Sequence, residues 1–251
     1  MSDMVETHCV CGTSQDQGVV AEKDGIKAVV CACGVVRTLH RPADYSKTYT
    51  DGVDYHAGQC QEKYGYPTFM ERFDHDYSIA QGRIALLLRN FRSLDVGCAN
   101  GGFVRAMAEK GFEAYGLEIN GKMAGWAENR TSRPIFSSYE AVRSSVGYQS
   151  MDIITYHDVF EHVVDPHAEM REINETLKPG GMLVLDVPEA CEVVGPHPRA
   201  PHHLKPEQHL WYWDEMPLRI FFGSYGYGVL RVDRPIVGKL VLYTRRWLPP
   251  A

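Results

Sequence analysis

The sequence predicts an α/β fold preceded by a small cysteine-bearing unit, on three observations. Strand-like and helix-like segments alternate between residues 93 and 188. A run of small residues from Asp95 to Gly102 joins the first of those strands directly to a helix. Two Cys-x-Cys-Gly elements lie within residues 1–40.

A chain of 251 residues, 44% hydrophobic and 23% charged, is long enough for one full α/β domain with an appendage. The formal charge of −6 argues against a backbone-wide nucleic-acid binder, which needs a basic stripe to neutralise phosphates. Arg245-Arg246 is the nearest approach to one. No apolar run reaches the roughly 18 residues that span a bilayer, and the acidic start MSDMVETHCVCG is unlike a secretory signal. A cytoplasmic location follows as the expectation. Thiols stay reduced there, so the seven cysteines are not expected to form a disulfide framework, and the four in two close pairs point to metal instead.

Three segments are expected: a zinc-ribbon-like unit over 1–40, a helical lid or linker over 41–90, and the main domain over 91–251. In the first, Val19-Val20 and Ile26 to Val30 have strand character. Apolar residues at helical spacing from Tyr77 to Arg89 predict an amphipathic helix. Tyr64, Arg72 and His75 precede it and are candidates for a ligand cleft, or for a packed surface helix. Ser93 to Val96 then reads as a buried strand, Gly102 to Lys110 as a helix ended by a left-handed Gly111, and Ala114 to Leu117 as the next strand. Ile153 to Tyr156 is a strand and Pro166 to Leu177 a helix stopped by Lys178-Pro-Gly-Gly. Met182 to Val187 is a further strand. Such alternation implies a mostly parallel sheet covered on both faces. Gly228 to Val232 and Gly238 to Thr244 suggest a terminal antiparallel pair.

The bend Leu94-Asp-Val-Gly-Cys-Ala-Asn-Gly-Gly-Phe103 is the most informative stretch. Small residues let backbone approach a ligand, and a helix N-terminus offers free N–H groups. Glu118 stands 21 residues after Gly97, at the spacing where an acid can accept both ribose hydroxyls. Gly97-x-Ala99-x-x-Gly102 also fits a degenerate dinucleotide fingerprint. Asp95 weighs against that reading, since an anion there repels a pyrophosphate but can help hold a cationic, amino-acid-bearing ligand.

Taken with Tyr115-Gly-Leu-Glu-Ile, Asp152-Ile-Ile-Thr-Tyr-His-Asp-Val-Phe-Glu-His-Val and Leu177-Lys-Pro-Gly-Gly-Met-Leu-Val-Leu-Asp-Val-Pro, the bend makes residues 93–188 resemble the class I S-adenosylmethionine-dependent methyltransferases. That resemblance implies a Rossmann-like seven-stranded sheet and S-adenosylmethionine as cofactor. Carried over, Asp95, Gly97, Ala99 and Gly101 would surround the methionine moiety. Glu118 would hold the ribose, Ile119 would lie beside the adenine, and Ser138 would meet the adenine edge. His157 and Asp158 end the fourth strand on the ligand side. Cys98 belongs to the same cofactor loop, with a small buried residue filling the turn as its preferred reading. Ala99 stands where the family most often has Gly.

Methyl transfer to a hydroxyl or carbon acid needs a base, and histidine suits neutral pH. His157, His162 and His209 are the candidates, with His202 and His203 nearby in sequence. For His162 a structural role and catalysis both stay open. His209 lies in Pro201-His-His-Leu-Lys-Pro-Glu-Gln-His-Leu-Trp-Tyr-Trp213. This segment resembles the Glu-His-x-x-Tyr stretch of sugar C-methyltransferases and the His-Leu-x-x-Phe stretch of a broader group acting on glycans and small molecules. Gln208 replaces the acid before the histidine, although Glu207 is adjacent. Base, acceptor contact and structural residue remain open for His209. Trp211, Tyr212 and Trp213 read as stacking groups or core, with two of them expected in the core.

Cys9, Cys11, Cys31 and Cys33 could converge on one structural zinc ion. One residue separates each pair, where zinc ribbons usually have two. A His8/Cys11 pairing, His40 as a spare ligand and a metal-free hairpin are therefore alternatives. Sugar C-methyltransferases resemble this layout.

The resulting expectation is methyl transfer to a small-molecule or sugar/glycan acceptor, foremost a sugar hydroxyl, without nucleic acid or a membrane span. A homodimer is one assembly the chain could form. Rival readings are carbon methylation of a nucleotide-linked sugar, RNA methylation, and a catalytically silent cofactor-binding partner.

Overall fold

A computed structural model describes residues 4–13, 15–50 and 91–247. The expected helix from Tyr77 to Arg89, and Tyr64, Arg72 and His75, lie outside the described residues. Packing divides the chain into two compact units: Met1–Tyr45, Tyr156–Ile173 and Met182–Ala251 make one, Ser46–Thr155 and Asn174–Gly181 the other.

The second of these units carries the glycine-lined bend. It opens with a short helix α1 (Lys47–Thr50), and after the undescribed stretch come β6 (Arg92–Val96), α2 (Gly102–Glu109) and β7 (Glu113–Leu117). They are followed by α3 (Gly121–Thr131), β8 (Ile135–Phe136), α4 (Tyr139–Val146) and β9 (Met151–His157), whose last two residues belong to the other unit. β6 and β7 run parallel, as do β7 and β8. Leu94, Phe103, Val104, Met107, Leu117 and Ile153 are all buried, so the apolar face of α2 covers these strands. Gly111 follows α2 with φ +91°, the left-handed stop the sequence requires.

In the other unit the N-terminal residues form β1 (Met4–Glu6), β2 (Asp16–Lys23), β3 (Ile26–Cys31), β4 (Val36–Thr38) and β5 (His40–Pro42). The helix α5 (Pro166–Thr176) and β10 (Leu177–Pro188) each run across the division between units. Then come α6 (Ala190–Val194), β11 (Trp211–Tyr212), α7 (Glu215–Gly223), β12 (Tyr227–Asp233) and β13 (Lys239–Arg246). β12 and β13 are antiparallel, the terminal pair that the sequence suggests.

Seven strands make the main sheet, in the order β12-β13-β10-β9-β6-β7-β8. This is the Rossmann-like methyltransferase arrangement, with β13 antiparallel to β10. A second sheet, β11-β4-β3-β2, joins the N-terminal strands to the aromatic segment after His209. Ala28, Val36, Ala190, Val193 and Tyr212 form its core with α6. Trp211, Tyr212 and Trp213 are all buried, one more than expected, and Trp213 packs with Phe160 and Phe221.

Gly101 precedes α2 with φ +74°, and a Cβ there would lie 2.7 Å from Thr131 Cγ2 and 3.0 Å from Ala127 Cβ. Both conformation and close packing against α3 demand glycine. Gly101→Ala should therefore cost about 1–3 kcal/mol in denaturant unfolding. A cost below a few tenths would show that the two helices do not pack this closely.

Candidate functional site

The bend after β6 is pinned to the end of β7. Gly97 N and Cys98 N both donate to Leu117 O, at 2.8 and 3.1 Å. Gly97, Ala99 and Gly101 all have positive φ, which turns the backbone tightly enough to expose a shallow cradle. Ala99 adopts φ +48° despite its Cβ, a left-handed conformation that costs about 1 kcal/mol against glycine. Cys98 is fully buried, and a Cβ at Gly116 would lie only 2.6 Å from its sulfur. It fills the turn beneath the cradle.

Glu118 closes the site from the end of β7. Its Oε2 accepts from Ala99 N at 2.9 Å and its Oε1 from Asn120 N at 2.8 Å. The carboxyl is buried, and desolvation raises its pKa against the lowering effect of these amides. Asp95 is buried and accepts from Thr155 Oγ1 at 2.7 Å. Ile119 is 51% exposed beside this carboxylate, leaving an apolar side chain open to a ligand. Ser138 caps α4, accepting from Ala141 N at 3.2 Å. Asn120 was not anticipated from the sequence. Its Oδ1 caps α3 at Lys122 N and Met123 N, while its Nδ2 donates to the carbonyls of Tyr49 and Thr50.

The other unit holds the candidate histidines in two groups. His157 Nδ1 lies 2.7 Å from Asp186 Oδ2, and Asp158 N donates to Asp186 Oδ1. Lys239 Nζ bridges Asp158 and Asp186 at 2.8 and 3.1 Å. Burial alone would lower this ammonium's pKa, but the two carboxylates outweigh it and hold the pKa above that of an ordinary lysine. Asp186 had a sequence signal, an acid inside an apolar strand, whereas Lys239 had none.

His162 and His209 make the second group, with ring centroids 4.9 Å apart and Glu161 beside them. His162 Nδ1 lies 2.7 Å from Gln208 O, which makes this nitrogen the protonated donor and turns Nε2 toward Glu161 Oε1 at 3.9 Å. Burial, then the nearby His162, pushes the His209 pKa well below the usual histidine range. Burial, then Asp158, raises that of Glu161.

The segment bearing His209 is held by the N-terminal strands. Thr38 N donates to Leu210 O at 2.9 Å, Thr38 Oγ1 to His209 O at 2.8 Å, and the Tyr45 hydroxyl to Gln208 O. Leu210 N donates to Glu161 O at 2.9 Å and Trp211 Nε1 to Val163 O at 2.6 Å. In the same strands Cys9, Cys11, Cys31 and Cys33 converge. Cys9 Sγ is 3.5 Å from both Cys33 and Cys11, and Cys11 is 3.4 Å from Cys31. Four thiolates bound at about 2.3 Å around a tetrahedral ion sit at comparable spacing, so the donor set fits zinc. Each pair turns on a left-handed glycine, Gly12 N donating to Cys9 O and Gly34 N to Cys31 O. His8 and His40 are exposed and do not join this cluster. The fully buried Arg37 stands behind it, bound to both oxygens of Asp16 and to Thr7 O.

A methyltransferase domain family matches residues 70–232, and the chain belongs to that family. A ubiquinone biosynthesis O-methyltransferase of Idiomarina loihiensis is 34% identical over 95 residues, covering 36% of this chain and 39% of that protein. The matched stretches span 39% to 56% of the curated relatives' length. Among solved structures, the 1,6-didemethyltoxoflavin-N1-methyltransferase of Burkholderia thailandensis superposes with TM-score 0.61 at 14% identity, over 93% of this chain and all of that one. Magnesium protoporphyrin IX methyltransferase of Synechocystis PCC 6803 gives 0.57 at 16% identity, over 81% and 97%. These structures share the fold. No helix among the described residues is long and apolar enough to cross a membrane.

His203 offers a pH test of the histidine-rich region. Burial, and secondarily His202, lower its pKa from 6.5 to about 4. The neutral form is favoured by folding, so this stability is present above pH 6.5 and lost as pH falls toward 4. The wild-type melting temperature should drop across that window, and less so in His203→Gln. Parallel melting curves for the two proteins would contradict the burial of this ring.

Proposed function

We propose that the chain is an S-adenosylmethionine-dependent methyltransferase that methylates oxygen on a small-molecule acceptor. The observation that carries this reading is the Glu118 carboxylate, buried at a strand end and hydrogen-bonded to the amide of Ala99 within the left-handed bend. Asp95, Gly97, Cys98, Ala99 and Gly101 would line the methionine end, Glu118 would take the ribose hydroxyls, and Ile119 and Ser138 would border the adenine. His157 and Asp158 complete the proposed set. When bound, the cofactor supplies a methyl group already activated on a sulfonium, so the protein's work is positioning and proton uptake.

For proton uptake, His157 has the better support of the three histidines. Its Nδ1 faces the Asp186 carboxylate, which fixes the tautomer and leaves Nε2 as the atom to receive a proton. His209 has no such carboxylate hydrogen bond among the described residues, and its burial opposes protonation. The names of the curated relatives support oxygen as the acceptor atom. A sugar hydroxyl, the finer assignment, rests on the resemblance of residues 201–213 alone. The four cysteines would hold one structural zinc that keeps the His209 segment in place.

Differential scanning separates the cofactor classes. S-adenosylmethionine and S-adenosylhomocysteine should each stabilise the protein, by about 2.7 kcal/mol at a hundredfold excess over Kd, and NAD should not. Glu118→Ala should weaken S-adenosylhomocysteine roughly ten- to hundredfold. Unchanged affinity would remove Glu118 from the cofactor site, and stabilisation by NAD alone would end the methyltransferase reading.

Protein purified without chelator should carry zinc that is lost in a Cys9→Ser/Cys31→Ser variant. Turnover should fall with it, because β4 and β11 lose their support, while the cofactor affinity measured above stays within a few-fold. Full turnover in a zinc-free protein would contradict this coupling.

A further inference from the structure

A second cluster of metal-ligating groups lies in the same unit as the four cysteines but uses none of them. We propose that Glu161, His162 and His209 form a divalent-cation site of two imidazoles and one carboxylate.

One ligand atom from each of the three residues lies within 4.8 Å of the others. Two of these groups are buried with polar atoms that take no hydrogen bond: Glu161 Oε2 and His209 Nδ1. Glu161 is 1% exposed and His209 4%. Leaving such atoms unmatched is costly, more so for a charged group, so a fold that retains both calls for a partner between them. The two atoms do not hydrogen-bond each other.

The third group is already set for coordination. Gln208 O takes the Nδ1 proton of His162, so Nε2 carries the lone pair and points toward Glu161. A backbone carbonyl on the far nitrogen is the usual partner of a metal-bound imidazole. Backbone bonds also fix the geometry, because Leu210 N donates to Glu161 O and Thr38 Oγ1 to His209 O. Metal–ligand distances of about 2.0–2.2 Å require the side chains to close in modestly, which rotamer adjustments of Glu161 and His209 can supply.

Two imidazoles and one carboxylate form a borderline donor set suited to Zn²⁺, Co²⁺, Mn²⁺ or Fe²⁺, whereas the four thiolates favour Zn²⁺. A cation here would pair with the Glu161 carboxylate and leave coordination positions open. An acceptor hydroxyl bound at one of them would lose its proton more readily. His209 would then act as a ligand, and the hydroxyl proton would pass to His157, the base assigned above. That catalytic part rests on the methyltransferase reading; the binding of the ion does not.

Co²⁺ titration of the full-length protein tests the site, because thiolate coordination adds intense charge-transfer absorption that a nitrogen and oxygen site lacks. Wild type should take up about two equivalents by metal analysis, only one of them with charge-transfer intensity. Glu161→Gln and His209→Gln should each lose the equivalent without that intensity and keep the other. His162→Gln, at a less buried position, should do the same and serves if the first two fold poorly, as judged by circular dichroism. Uptake of the thiolate-bound equivalent alone by wild type, or two equivalents in all three variants, would overturn the proposal. S-adenosylhomocysteine affinity measured on the same samples separates the two readings. Loss of that affinity with the second ion still bound would sink the methyltransferase and spare the metal site.

Discussion

Much of one unit depends on a single annexed strand. Trp211–Tyr212 is only two residues long, yet it pairs with β4 and so extends the sheet built by the N-terminal strands. Main-chain bonds are directional and costly to leave unmade in a buried setting. Once Thr38 binds Leu210 and His209 through backbone and hydroxyl, the peptide carrying the histidine has little freedom left. The cysteine-bearing strands are therefore the wall on which the histidine segment is mounted. Below it, Phe160, Trp213, Phe221 and Phe222 interlock as a tilted aromatic layer that resists rearrangement.

The two halves of the proposed chemistry use different physics. Around the bend, glycine conformations and one carboxylate shape a backbone surface, with few side chains projecting. Around the histidines, the arrangement is one of charge. Lys239 is held by two aspartates, Asp186 serves His157 and Asp158 at once, and Glu161 lies buried beside the two imidazoles of His162 and His209. The first kind of site suits a ligand recognised by shape and hydroxyl groups, and the second suits moving protons or holding cations.

The fold was legible because its determinants are local. Apolar periodicity gave β6, α2, β7, β9 and α5 nearly at their observed limits, and Gly111 marked its helix end. The spacing places Leu177 in the last turn of α5, whereas the helix ends one residue earlier and Leu177 opens β10, which runs on through Gly180 and Gly181. The helix Gly121–Thr131 has no signature in the sequence, since it buries only Met123 and Ala127, too few for an apolar stripe. β11 was unreadable for the opposite reason: its aromatic pair becomes a strand only through pairing with residues about 175 positions earlier. Within the site, the glycines and Glu118 announced themselves by spacing, and the four cysteines by repetition. Asn120 and Lys239 act through partners far away in sequence, and nothing in their neighbourhood signals that.

Asn120 links two things that are otherwise separate. Its backbone amide holds Glu118, and its side-chain amide clasps the carbonyls of Tyr49 and Thr50, where the chain departs toward residue 51. A nucleoside that competes for the Glu118 oxygens would tug on the same residue. The packing of α1 against Asn120 would then bear on nucleoside affinity, and by thermodynamic reciprocity the nucleoside would bear on the end of α1. One amide side chain would thus tie ligand capture to the last turn of a helix some seventy residues earlier in the sequence.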